Sequence, residues 1–97
     1  MNPGNMSEID EPIYHVFFTK TSHKQYQKLD KLTQKKVDKA ILRLQESPNQ
    51  PNTERLVGHP EAGYRYRIGN YRMLFDIYPD NEIYILHIWP RGKDYKK

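Results

Sequence analysis

Residues 64–72 read YRYRIGNYR, three arginines and three tyrosines in nine positions. A guanidinium stays charged throughout the physiological pH range and presents a planar fork that matches two oxygens of a phosphate. Along a strand, successive side chains point to opposite faces. Arg65 and Arg67 therefore share one face, and Tyr64, Tyr66 and Ile68 the other. The next run, YRMLFDIY, sets Arg72, Leu74 and Asp76 against Tyr71, Met73, Phe75 and Ile77. Paired as neighbouring strands, the two runs gather Arg65, Arg67 and Arg72 on one surface, and Arg91, just past the last apolar run, is placed to join them. Close like charges repel by up to about 1 kcal/mol even in water, and Asp76 offsets part of that cost. Such a cluster is either a solvated coat or a site for an anion, and the pattern favours the anion.

Other residue types narrow the chemistry. Trp89 and Tyr95 flank Arg91 and are of the kind that stacks on an unpaired base, although Trp89 equally suits a core. Lys20, Lys24, Lys28, Lys31, Lys35, Lys39 and Arg43 recur at three- or four-residue spacing. That stripe is ordinarily the solvated face of an amphipathic helix, and a broad polyanion would use it for orientation rather than readout. His15, His23, His59 and His87 have no metal-ligand spacing and no accompanying acid cluster. His87 reads best as a packed or hydrogen-bonded core histidine. There is no cysteine, and no glycine-rich phosphate loop, Ser/His/Asp arrangement or paired-carboxylate site is visible.

The elements that must position these residues follow from periodicity. IYHVFFT, 13–19, is aromatic and β-branched, a first strand. In the next segment Tyr26, Leu29, Leu32, Val37, Ala40, Ile41 and Leu44 mark one helical face. Ser22 and Gln25 have capping-box spacing and Thr33 is an acceptable N-cap, so two helices are expected, over 22–31 and 33–46. Pro48 ends the second. Residues 47–63 form a loop anchored at Leu56 and Val57, with a short extended piece at Leu56. Three strands follow, 64–68, 71–78 and 82–89, joined by the turns Gly69-Asn70 and Pro79-Asp80-Asn81. Strict alternation divides the last strand into Tyr84, Leu86 and Ile88 against Ile83, Ile85, His87 and Trp89. The expected fold is α+β, β-α-α-β-β-β, a helical hairpin packed on a four-stranded, mainly antiparallel sheet.

At 97 residues the chain has room for one modest core, expected as a single domain over 13–97 behind a flexible tail, 1–12. The tail lacks the basic and apolar regions of a secretory signal, no apolar run approaches the roughly 20 residues of a membrane span, and a cytoplasmic protein is expected. Net charge is +4. The first twelve residues hold three of the twelve acids, Glu8, Asp10 and Glu11, and no Lys or Arg, so 16 bases face nine acids beyond them, a balance of +7. A compact body so charged attracts polyanions, nucleic acid foremost.

LQESP closing the second helix, GYRYRIGNYRMLFDI and the ending ILHIWPRGKDYKK together resemble the RelE/ParE superfamily of bacterial and archaeal toxins, in particular its RelE-like mRNA interferases. The resemblance spans about residues 13–97. It implies a microbial RNase-like fold, a toxin of a type II toxin–antitoxin system, and cleavage of messenger RNA in the ribosomal A site, beside 16S rRNA, with a cognate antitoxin as protein partner. The implied reaction is metal-independent attack of a ribose 2′-hydroxyl on the adjacent phosphate, giving 2′,3′-cyclic phosphate and 5′-hydroxyl ends, with no cofactor and no membrane partner. The family's site residues fall on Arg65, Arg67, Arg72, Arg91 and Tyr95. Arg72 and Arg91 would oppose charge developing on phosphorus oxygens, and Tyr95 would stack on the base and align the 2′-hydroxyl. Lys24, Lys28, Lys35, Lys39, Lys93 and Lys96 are the candidates for wider RNA contact.

Some relatives place lysine at the paired positions, or histidine or glutamate near the C-terminal end. Here arginine occupies the pair and Pro90 precedes Arg91, which leaves Lys93, Tyr95 and His87 as the candidate proton acceptors. Two other functions fit the same residues: a ParE-like poison of DNA gyrase with no hydrolytic site, and an inactive nucleic-acid-binding module.

Overall fold

The computed structural model describes residues 13–92. In chain order its elements are β1 (His15–Phe18), α1 (Lys20–Gln27), α2 (Lys31–Glu46), β2 (Thr53–Arg55), β3 (Tyr64–Ile68), β4 (Tyr71–Tyr78) and β5 (Glu82–Pro90). They build one sheet ordered β1-β5-β4-β3-β2. β1 pairs with β5 in parallel and every other pairing is antiparallel. This is the expected α+β architecture, and β2 adds a fifth, three-residue strand at the edge.

Turn chemistry sets the sequential hairpins. Gly69, at φ +54°, carries β3 into β4 through a backbone conformation that costs glycine little. Asp80 and Asn81, at φ +65° and +59°, are the residue types that best tolerate the left-handed region.

Both helices start earlier than their expected caps. Thr19 caps α1, its hydroxyl accepting from Ser22 N at 3.1 Å, while Ser22 Oγ accepts from Thr19 N at 3.0 Å. Ser22 is thus the third helical residue rather than the cap. Its buried hydroxyl also donates to Ile85 O at 2.7 Å, fastening α1 to β5, a tertiary bond that spacing in the chain does not reveal. Asp30 caps α2, accepting from Thr33 N at 3.2 Å, and the Thr33 hydroxyl donates to Asp30 at 2.6 Å.

α2 covers one face of the sheet. Val37, Ala40 and Leu44, at i, i+3 and i+7, pack against Tyr66, Ile68, Met73, Phe75, Ile83, Ile85 and Ile88. Full burial of each valine, leucine, isoleucine, methionine or phenylalanine among them stabilises the fold by about 1.5–3 kcal/mol. Leu32, expected on this face, is 63% exposed: it lies in the first turn of α2, ahead of the sheet contact. Val57 is 92% exposed, and the buried anchor of the long loop is Ala62.

Strict alternation fails in β5. Leu74 lies opposite His87, but the next residue, Phe75, lies opposite Ile85, so Leu86 is an extra residue on β5. A bulge of this kind reverses the parity of everything after it. Ile88 therefore joins Ile83 and Ile85 in the core, and His87 and Trp89 turn to the face that α2 leaves uncovered. The expected grouping of His87 and Trp89 with Ile83 and Ile85 is corrected by this one residue. Among the described residues, no helix is long and apolar enough to cross a membrane.

Candidate functional site

The uncovered face is organised in rows by strand register. Arg67, Arg72 and Trp89 are successive cross-strand partners on β3, β4 and β5; Glu54, Arg65, Leu74 and His87 form the next row, from β2 to β5. Sequence alternation places the three arginines together here, as the register does. Arg91 follows β5, and its amide donates to Asn70 O at 2.6 Å. That bond fixes its backbone beside the β3–β4 turn, at the same end of the sheet as Arg67 and Arg72.

The arginines are not equivalent. Arg72 is 8% exposed, and its Nη1 donates to Gly69 O at 3.2 Å and to Tyr71 O at 3.0 Å. It braces the turn from beneath. Arg67 and Arg91 are exposed. Arg65 donates to Glu54 Oε1 at 2.8 Å.

Glu54 is the acid that composition did not single out. The hydrogen bond and charge of Arg65, with smaller contributions from Arg67 and Arg72, hold its carboxyl below the usual carboxylate range. It is therefore ionised at neutral pH and sits in the field of all three arginines. Only recognising β2 puts it opposite Arg65, and a three-residue strand in a proline-rich segment carries almost no periodic signal. Asp76, expected to offset the arginines, lies farther along the same face and accepts from Gly63 N at 2.6 Å. A β-carbon at Gly63 would stand 3.0 Å from that carboxylate, so glycine is what lets the loop approach so closely.

His87 is on this face and not in the core. Its ring stacks on Trp89 with centroids 4.2 Å apart and planes 14° from parallel. Its Nε2 lies 3.3 Å from Glu61 Oε1. His87 Nδ1 and Trp89 Nε1 are buried and find no hydrogen-bond partner among the described residues. The pair gives the arginine rows a flat aromatic border with unused polar atoms.

Lys24, Lys28, Lys35 and Lys39 are exposed on the helices, on the opposite layer from the arginines. Lys93, Tyr95 and Lys96 lie outside the described residues. Among the described residues no group of three or more His, Asp or Glu is placed to hold a metal ion. What the face offers is cationic contact for an anion, bordered by a stacking surface, with an ionised carboxylate beside the arginines.

Comparisons with known proteins bear on the fold and the family. No curated protein sequence matches the chain. Its fold is similar to that in the archaeal RelE–RelB complex of Pyrococcus horikoshii OT3, at 28% identity and TM-score 0.71, covering 84% of this chain and 98% of the other. The toxin–antitoxin complex RelBE2 of Mycobacterium tuberculosis is similar at 27% identity and TM-score 0.70, covering 82% and 99%. The isolated RelE toxin of E. coli shares the fold at 18% identity and TM-score 0.69, covering 82% and 86%. The model of the ParE toxin of the type II toxin–antitoxin system parDE matches residues 16–95. With nearly the whole described sheet and both helices inside that match, the chain belongs to the ParE toxin family, within the RelE/ParE superfamily of type II toxins.

Proposed function

We propose that this toxin is an endoribonuclease that cuts messenger RNA on its uncovered arginine face. The observation that carries the reading is the direct opposition of Arg67 and Arg72 with Arg91 fixed at the same turn. Like charges directly opposite across a ladder are destabilising by themselves, and an anion bound beside them offsets that cost.

In the reaction, the ribose 2′-oxygen bonds to the adjacent phosphorus as the bond to the 5′-oxygen breaks. The 2′-hydroxyl loses its proton, and the leaving 5′-oxygen gains one. Arg67 and Arg91, being exposed, are the groups that meet the non-bridging oxygens as their charge grows. Arg72 acts as a positioning residue, holding the turn and, through it, the two contact arginines. Arg65 aligns Glu54, which is ionised and able to accept a proton. The His87–Trp89 stack borders the site where an unpaired base would lie. Lys24, Lys28, Lys35 and Lys39, with Lys93, Tyr95 and Lys96 beyond the described residues, are proposed as further RNA contacts. Residues to hold a metal are not part of this scheme.

The substrate is proposed to be ribosome-bound messenger RNA in the cytoplasm. A cognate antitoxin is proposed as the protein partner, by likeness to the RelE–RelB and RelBE2 complexes. The family model that matches is that of ParE, which favours a second reading, poisoning of DNA gyrase without RNA cleavage. Mapping transcript ends after induction separates the two. New 2′,3′-cyclic ends inside coding sequences support RNA cleavage; intact transcripts with blocked supercoiling support gyrase poisoning.

A further inference from the structure

A second basic feature lies on the other side of the β3–β4 turn. Between α2 and the end of β3 runs a cleft of about 250 Å³ with Lys36, Lys39, Arg43, Asn52, Arg67 and Gly69 in its lining, and no acid lines it. Lys36, Lys39 and Arg43, at i, i+3 and i+7, share one side of α2, and all three are exposed. The backbone of Arg67 lies across from them, its amide tied to Asn52 O at 3.1 Å. β2 begins at Thr53, opposite Tyr66, so no strand covers β3 from Arg67 to Ile68 and the cleft stays open. Of the helical lysines that spacing alone singles out for wider contact, only Lys39 lies in it.

The turn joins this cleft to the arginine face. Lys36 Nζ lies 3.9 Å from the position a β-carbon of Gly69 would take. Arg72 Nη1 donates to the carbonyl of the same glycine, and Arg91 N donates to the carbonyl of Asn70. Cations from both layers of the fold thus meet at a two-residue turn whose first residue has no side chain.

We infer that the cleft is a second phosphate site, holding the backbone of the same RNA strand after it leaves the arginine face and crosses the Gly69–Asn70 turn. The inference rests on the RNA reading above. A sugar-phosphate chain suits the site because the charge continues unbroken from one layer to the next. Three cations of α2 converge there without a base-reading pocket, which is backbone contact rather than sequence readout.

The test is binding of fluorescent, 2′-O-methylated oligouridylates, which cannot be cut, to the wild type and to a K36Q/K39Q/R43Q triple variant. Glutamine is a good helix former and the three positions are exposed, so a melting curve like that of the wild type is expected. Strands of about four nucleotides cover one face, and strands of about sixteen reach both. For the long strand the triple variant should lose about tenfold or more in affinity, and the slope of log K against log salt should shrink by about 2, from three lost contacts at about 0.7 each. The short strand should bind both proteins within about twofold. Equal binding of the long strand, or equal loss on both lengths, would overturn the second site. Unchanged RNA binding with lost affinity for an acidic antitoxin peptide would also overturn it and give the cleft to the protein partner. Failure of the wild type to bind either strand, with ribosome-bound messenger RNA also left uncut, would overturn the RNA reading itself.

Discussion

Arg67 and Arg72 sit directly opposite each other, one on β3 and one on β4, one pair before the turn in a regular antiparallel ladder. Stability alone gives no reason for that pair. Like charges in register oppose folding by about 0.2–1 kcal/mol, and Arg72 carries its charge while nearly buried. The pair makes physical sense as one half of a contact whose other half is an anion.

Replacing Arg67 should therefore separate stability from function. Arg67→Gln is expected to raise unfolding free energy by about 0.2–1 kcal/mol, measured by urea denaturation, while weakening RNA binding. A variant both less stable and unchanged in binding would mean that Arg67 is a structural residue of the sheet edge.

Glu54 makes the site pH-dependent in a definite direction. Its folded-state pKa lies below the ordinary value, first because of Arg65. Its stabilising contribution is then complete above the unfolded carboxylate pKa of about 4.3 and is lost as pH falls through the lower folded value. Urea melts of wild type and Glu54→Gln should differ at neutral pH and converge as pH falls through the lowered folded-state value. At neutral pH the substitution also removes an acid from the arginine rows, so affinity for a phosphate polyanion should rise even as cleavage falls. A stability difference that persists undiminished into acid would show that Glu54 acts by packing, not charge.

Much of this arrangement is legible in the chain, and the exceptions have identifiable causes. Period-two alternation in Tyr64–Ile68 and Tyr71–Tyr78 assigns Arg65, Arg67 and Arg72 to one face, because neither strand has an irregularity and a two-residue turn fixes their register. The same reasoning misplaces His87 and Trp89, because the bulge at Leu86 leaves no mark in residue type: Leu86 is as good a strand residue as its neighbours. Glu54 is hidden because β2 forms through pairing with β3, not through any pattern of its own. The start of α1 moves as Ser22 answers to Ile85, 63 residues away, and that of α2 because Asp30 takes the cap from Thr33. Local signals place the arginines; long-range pairing decides which acid and which aromatic residues meet them.

The most direct measurement is the rate at which purified toxin produces 2′,3′-cyclic ends on ribosome-bound messenger RNA, compared between wild type and Arg91→Ala. Arg91 is exposed and its bond to Asn70 O uses the backbone amide, which alanine keeps, so the substitution should leave the fold and melting temperature unchanged. Cleavage through the arginine face requires a fall of about 10²–10³ in rate. A variant that cuts within about twofold of wild type, or a wild type that leaves the RNA intact while blocking supercoiling by gyrase, would contradict it.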